Sequence, residues 1–269
     1  MVAAPPDSKT PIVKFDKVSK SYDSSGTEQV LALKDISFTI HDEEAGEFVA
    51  LLGPSGCGKS TILNMISGLL MPSLGTVDVM GKPVVGPTAD AVTVQQAYTC
   101  FPWKSVLGNV TFGLEIIGVD ASEREDRAMD YIKKVGLADR AKAFPKELSG
   151  GMQQRVALAR ALALRRPVLL MDEPFGALDA QTRDEMQQLL MEIWAEEKNT
   201  IFFITHDVNE AVLLADRIIV LSRRPSTVIF DVPVSFPRPR GVEFKSNEKF
   251  VGLVDNILRM LRTGSHVPA

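Results

Sequence analysis

Cysteine is scarce in this chain, with only Cys57 and Cys100 among 269 residues. A disulfide framework is thereby excluded, and two free thiols in a reducing compartment are expected. Long apolar runs are also lacking. None reaches the ~18 residues that a membrane-spanning helix needs, so any service to a membrane must pass through a partner. Positive charge is not in excess: 30 basic against 34 acidic residues leave a net charge of −4, without the basic footprint of a nucleic-acid binder. Met1 to Thr10 is polar and proline-bearing, lacks the apolar core of a signal peptide, and reads as a disordered leader. Neither internal repeats nor sustained heptads occur, which argues against a long coiled-coil insertion. What remains is an ordinary globular composition, 45% hydrophobic and 24% charged. It suits one large domain or one domain with a sizeable insertion.

Along the chain, β-rich runs come first, at Ile12 to Val18, Leu33 to Ile40 and Glu47 to Leu52. The third enters a glycine-rich loop, and Lys59 to Leu69 then reads as a helix ended by Met71-Pro72 and Gly75. From residue 97 the character changes. Val106 to Ile117 and Glu123 to Val135 have helical periodicity, and a further helix opens at Ser149-Gly150-Gly151 and reaches about Leu164. Residues 97–165 therefore read as a helical insertion in an α/β core made of residues 11–96 and 166–235. The core resumes with the apolar run Val168 to Met171. It continues through a helix at Gln181 to Lys198 with acidic and amide residues on its outer face, a buried strand at Thr200 to Thr205 and a helix at Val208 to Leu214. Strands at Arg217 to Leu221 and Thr227 to Val232 close the core. Such alternation predicts a parallel sheet covered on both faces. The stretch Pro237-Arg238-Pro239-Arg240 breaks the pattern, and Asn247 to Leu261 closes a short tail, residues 236–269, as an amphipathic helix.

The loop reads Gly53-Pro54-Ser55-Gly56-Cys57-Gly58-Lys59-Ser60-Thr61. Its glycines permit backbone shapes and close approaches that a Cβ would block, so several N–H groups converge on one anion at the positive end of the following helix. Lys59 would bridge the β- and γ-phosphates of a nucleotide, and Ser60 would set its hydroxyl on Mg²⁺. Strand before and helix after are the context this motif requires. A second apolar strand delivers Asp172 and Glu173 at its C-terminal end, where open α/β sheets bind ligands. Asp172 would hold Mg²⁺ through water, and Glu173 would orient and polarise the attacking water. His206, after the buried strand, can reach the γ-phosphate and fix that water. Tyr22, read as lying in the loop after the first strand, offers an aromatic face for adenine. Far from the loop, Ser149 can offer its hydroxyl at a helix start, while Gly150 and Gly151 bare backbone N–H groups. Two consecutive glycines weaken a helix by ~1 kcal/mol each, so they point to a phosphate of their own.

Taken together these residues resemble the ATP-binding subunit of an ABC transporter, over roughly residues 12–232. Phosphate loop, glutamine loop, Leu148-Ser149-Gly150-Gly151-Met152-Gln153 signature, acidic strand, Ala177-Leu178-Asp179 turn and His206 occur in the family's order. The resemblance implies a P-loop ATPase core with an N-terminal antiparallel β region and an inserted helical subdomain. It implies ATP and Mg²⁺ as cofactors and a head-to-tail pair of subunits, each ATP held by the phosphate loop of one and the signature of the other. Asp179 resembles the residue that acts across that dimer. Gln96 resembles the glutamine that touches Mg²⁺ and the attacking water; Gln95 stands where an aromatic residue is usual, which leaves a one-residue ambiguity of register. Phe101-Pro102-Trp103, Met152 and the Pro-Arg repeat are similar to importers of nitrate, taurine and aliphatic sulfonates. Phe101 and Trp103 read equally as core or as a docking patch for a membrane permease. Permease subunits, a substrate-binding protein acting indirectly, and a peripheral place on the cytoplasmic face of the membrane are the partners and location implied. An exporter or lipid-trafficking ATPase is the alternative within the family, and a non-transport ATPase a further one. The short tail after residue 232 resembles that importer branch too, and the resemblance implies no regulation by a long β-rich C-terminal extension.

Overall fold

The computed structural model describes residues 10–23, 29–41, 46–96 and 100–263. Its first elements are β1 (Pro11–Asp23), β2 (Gln29–His41), β3 (Phe48–Leu52), α1 (Lys59–Ile66), β4 (Leu74–Val79), β5 (Lys82–Pro83) and β6 (Ala91–Val94). Three helices follow: α2 (Val106–Ile116), α3 (Ala121–Lys134) and α4 (Gly150–Leu162). The chain then runs through β7 (Val168–Asp172), α5 (Ala180–Glu197), β8 (Thr200–Ile204), α6 (Val208–Leu214), β9 (Arg217–Leu221), β10 (Val228–Pro233) and α7 (Glu248–Thr263). The expected leader lies outside the described residues except for Thr10.

Strands β3, β7 and β8 are buried almost from end to end, and their alternation divides them between two cores. Phe48, Ala50 and Leu52 of β3 face one core with Leu169, Met171, Ile201 and Phe203. Val49 and Leu51 face the other with Val168, Leu170, Phe202 and Ile204. Side chains two apart share a face, so a sheet buried on both faces needs continuous apolar runs, and this sequence supplies them. The six-stranded sheet runs β10-β9-β3-β8-β7-β6. Strands β9, β3, β8, β7 and β6 pair in parallel, and β10 is antiparallel to β9. Helices α2 to α7 pack into the first core. The second core is closed by α1 and an antiparallel sheet, β2-β1-β4-β5. There Phe15 stacks on Phe38 at 4.5 Å and Phe38 lies 6.0 Å from Phe202, tying the two sheets together.

Three strands escape the sequence pattern: β4, β5 and β6. The first three residues of β4 are exposed, β5 has two residues, and β6 is a four-residue edge strand only partly buried, so none produces a long apolar run. Helix α1 stops at Ile66 rather than Leu69, because Gly68 takes a left-handed φ of 75° and its N–H donates to the Met65 carbonyl. Gln187 on α5 is 3% exposed, so the amide residues of that helix are not all on its outer face.

The Pro-Arg repeat acquires a structural role. Arg240 is buried and donates to the carbonyls of Val212, Leu213 and Ala215, and to those of Val234 and Phe236. Arg238 takes the Leu214 carbonyl at 2.6 Å, pairs with Asp216 at 2.7 Å and lies over the Trp194 ring. The carbonyls at the end of a helix lack intrahelical partners and carry partial negative charge. Two guanidinium groups supply those partners to α6.

Candidate nucleotide site

The phosphate loop connects β3 to α1, with Gly58 as the residue before the helix. Its φ of 100° is left-handed, and a Cβ there would also stand 2.7 Å from the Leu33 side chain. Only glycine meets both demands. Pro54 is half-buried, Cys57 is buried and free, and Ser55, Gly56 and Ser60 are exposed. Burial pushes the Cys57 thiol pKa up, so this cysteine is a packing group rather than a thiolate. Lys59 is 6% exposed and donates to the carbonyls of Gly53 at 2.9 Å and Pro54 at 3.3 Å. Its ammonium is thus held inside the loop.

Strand β7 sets Asp172 beside this loop. Burial raises the Asp172 pKa, opposed by a hydrogen bond from Ser60 and by the charge of Lys59. The Ser60–Asp172 contact brings a hydroxyl and a carboxylate together, a hard-oxygen donor set of the kind that suits Mg²⁺ alongside phosphate oxygens and water. Among the described residues no group of three or more His, Cys, Asp or Glu could hold a metal ion by itself.

Glu173 follows with a left-handed φ of 43°, a conformation that costs a non-glycine residue about 1–3 kcal/mol. It is fixed by its own N–H donating to Ile204 at 3.0 Å. Its Oε2 lies 3.0 Å from Nδ1 of His206, whose side chain is 61% exposed. The two residues come from adjacent strand ends of the parallel sheet and meet through side chains. Gln96 reaches the same neighbourhood. From the point where a Cβ on Gly176 would stand, its Nε2 is 3.6 Å away and Glu173 Oε2 is 3.8 Å away. Tyr22 is a correction: it lies within β1, not in a loop beyond it, because the β1–β2 ladder continues through Tyr22 and Val30. The residue is 39% exposed and its hydroxyl is 3.1 Å from Thr61 Oγ1, beside the loop.

The signature residues lie elsewhere, at the start of α4 against the start of α5. Ser149 caps α4 by accepting from the Met152 N–H at 3.3 Å. Gly151 has a packing reason to be glycine, since a Cβ there would stand 2.5 Å from the Thr182 methyl. Thr182 in turn donates to both Asp179 oxygens, from its N–H at 3.0 Å and its hydroxyl at 2.8 Å. These bonds lower the Asp179 pKa. Asp179, Thr182 and Gly151 form one rigid junction, with Gly150 partly exposed at its tip.

Sequence reasoning overlooked a set of polar residues behind Glu173 and His206. Arg183 donates to the carbonyls of Leu178 at 2.9 Å and Phe175 at 3.4 Å, bracing the turn between Glu173 and Asp179. Gln187, Thr205 and Glu210 are buried together nearby.

A glycine loop holding a buried lysine, a strand-end Asp-Glu pair and a histidine on the glutamate define an ATPase of the phosphate-loop class. The ABC transporter family model matches residues 33–176, and the chain belongs to that family. It is 47% identical to a nitrate import ATP-binding protein of Synechocystis sp., over 87% of this chain and 89% of that one. It is also 47% identical to a taurine import ATP-binding protein of Rhizobium johnstonii, over 84% and 86%. Among solved structures, a dimeric ATP-binding cassette bound to ADP and phosphate superposes with a TM-score of 0.72. That match has 34% identity and covers 84% of this chain and 100% of that one. The protein binds and hydrolyses ATP.

Proposed function

We propose that this chain is the ATP-hydrolysing subunit of an importer for nitrate, taurine or alkanesulfonates. It works as a head-to-tail pair at the cytoplasmic face of a membrane. No helix among the described residues is long and apolar enough to cross a membrane, and the chain engages permease subunits instead. Residues 97–165 form the subdomain that meets them. Trp103, 71% exposed and backed by Phe101 at 5.6 Å, supplies an apolar face for a permease helix. A substrate-binding protein selects the cargo outside the ATPase.

The observation that carries the catalytic reading is the 3.0 Å contact between Glu173 Oε2 and His206 Nδ1. In each ATP site the loop from Gly53 to Thr61 cradles the phosphates, Tyr22 stacks on adenine, and Ser149, Gly150 and Gly151 of the second subunit close over the γ-phosphate. Asp179 of the same second subunit spans the junction. Ser60, Asp172 and Gln96 would hold Mg²⁺, which neutralises phosphate charge when bound. Glu173 takes a proton from water as the water oxygen bonds to the γ-phosphorus. The bond from that phosphorus to the β–γ bridging oxygen breaks, giving ADP and inorganic phosphate. His206 holds the γ-phosphate and the water in line.

Glu173→Gln removes the base and leaves the ATP contacts, so the variant is expected to form a stable ATP-dependent dimer with turnover lowered by about 10²-fold or more. Size-exclusion chromatography with ATP checks this. A variant that stays monomeric under conditions where wild type dimerises would remove Glu173 from that role.

A further inference from the structure

Helix α5 and helix α6 meet around a buried carboxylate. Glu210 is 6% exposed and its Oε1 accepts from Gln187 Nε2 at 2.9 Å. A carboxylate taken out of water is costly unless it is fully hydrogen-bonded. Burial raises the Glu210 pKa, and hydrogen bonds from the Thr205 hydroxyl and Gln187, with the charge of Arg183, oppose that rise. Thr205 is 2% exposed and immediately precedes His206. Its Oγ1 also accepts from the Asp207 N–H at 3.0 Å, so the hydroxyl is engaged on both sides of the histidine. Asp207 then caps α6, accepting from the N–H groups of Asn209 and Glu210.

The peptide carrying His206 is therefore clamped through its neighbours while its own side chain projects into solvent. A cavity of about 40 Å³ runs between the catalytic pair and this clamp, walled by Glu173, Arg183, Thr205, His206 and Glu210. Arg183 lines that cavity and also braces the turn after Glu173. One face of α5 thus touches the supports of both members of the pair.

We infer that Glu210, held by Gln187, is a positioning residue for ATP hydrolysis: through Thr205 it fixes the turn that aims His206 at Glu173. Neither Glu210 nor Gln187 meets nucleotide. The inference rests on the reading of Glu173 and His206 as the catalytic pair. Polar residues that only join two helices have no reason to enclose the hydroxyl next to a catalytic histidine. An apolar pair would pack α5 on α6 without the desolvation penalty. What the carboxylate adds is direction, since two donors converging on it fix the Thr205 rotamer.

The test is steady-state ATP hydrolysis by the purified full chain. Wild type is compared with Glu210→Ala, Glu210→Gln, His206→Ala and the double variant His206→Ala/Glu210→Ala. Val212→Ala, at a fully buried position on the same helix, is the control for simple loosening. Glu210→Ala is expected to lower kcat roughly ten- to a hundredfold, the cost of a misaimed catalytic group, with the KM for ATP within about a factor of two. Glu210→Gln is expected to keep most activity. Its amide oxygen still accepts from Thr205, and its amide N–H meets Gln187 Oε1, which has no partner among the described residues. The double variant is expected to be no slower than His206→Ala, as for residues acting through one another.

Wild-type kcat in Glu210→Ala, or an equal kcat loss in Val212→Ala, overturns the inference. Should Glu210→Ala fail to fold, Gln187→Leu takes its place: a fall in kcat at unchanged KM supports the clamp, and wild-type kcat overturns it. His206→Ala separates the two levels. Full activity there defeats the catalytic pair itself, whereas a slow His206→Ala beside a fast Glu210→Ala defeats only the positioning role.

Discussion

Replacing Arg240 by methionine should destabilise the protein sharply while leaving its chemistry intact. The guanidinium donates to Val212 at 3.3 Å, Val234 at 3.1 Å, Phe236 at 2.9 Å and closely to Ala215. Methionine fills similar space but donates nothing. Each buried carbonyl left without a partner costs about 1–3 kcal/mol, partly offset because a charge no longer has to be desolvated. That desolvation is visible in Arg240 itself: burial and the neighbouring Arg238 push its pKa down to about 10, with Asp216 opposing. The group therefore stays charged at neutral pH, and Asp216 keeps Arg238 when Arg240 is lost. The net loss is about 3–5 kcal/mol, which for a chain of this size lowers Tm by ~10 °C. Arg240→Lys should fall between, because one ammonium cannot span the same set of carbonyls. Thermal unfolding followed by circular dichroism measures the shift, and ATP turnover at a temperature where both proteins are folded checks that the site survives. A methionine variant melting within about 2 °C of wild type would show that water satisfies the end of α6 and that the clamp contributes little.

Two further predictions concern the nucleotide site. Gly151→Ala should weaken ATP-driven dimerisation because its Cβ meets the Thr182 methyl, held in place by the bond from Thr182 to Asp179. Adding Thr182→Ser removes the methyl, keeps the hydroxyl and should restore dimerisation by size-exclusion chromatography; a double variant as impaired as the single would show that the fault lies in presenting the N–H groups. Tyr22→Ala should weaken ATP binding by ~1 kcal/mol of lost stacking, read by calorimetry, and unchanged affinity would take Tyr22 out of the site.

What the sequence disclosed and what it withheld follow from the range of the interactions concerned. The phosphate loop, Asp172-Glu173 and His206 were legible because each is a short string placed by the strand that precedes it. The central parallel strands were legible because burial on both faces demands unbroken apolar runs. Strand β6 was not, since an edge strand paired on one side needs no such run, nor was β4, whose first three residues are exposed. The reach of β1 to Tyr22 depends on pairing with Val30, which nothing local to Tyr22 announces. Arg238 and Arg240 were read as a break in pattern because the carbonyls they satisfy at the end of α6 lie 24 to 28 residues earlier in the chain.

Gln187 is the instructive case, because a signal was present. On a helix, positions three, four and seven apart share a face. Arg183, Met186, Gln187, Leu190 and Trp194 fall on one such stripe, and of these Met186, Gln187, Leu190 and Trp194 are buried. An amide within an apolar stripe is costly to bury unless it has a partner, so its position alone calls for a polar group on the facing element. Asp207-Val208-Asn209-Glu210 offers three such groups, all at or near the start of α6. Only the packing of the two helices reveals that Glu210 is the partner, and that its second donor is the residue before His206.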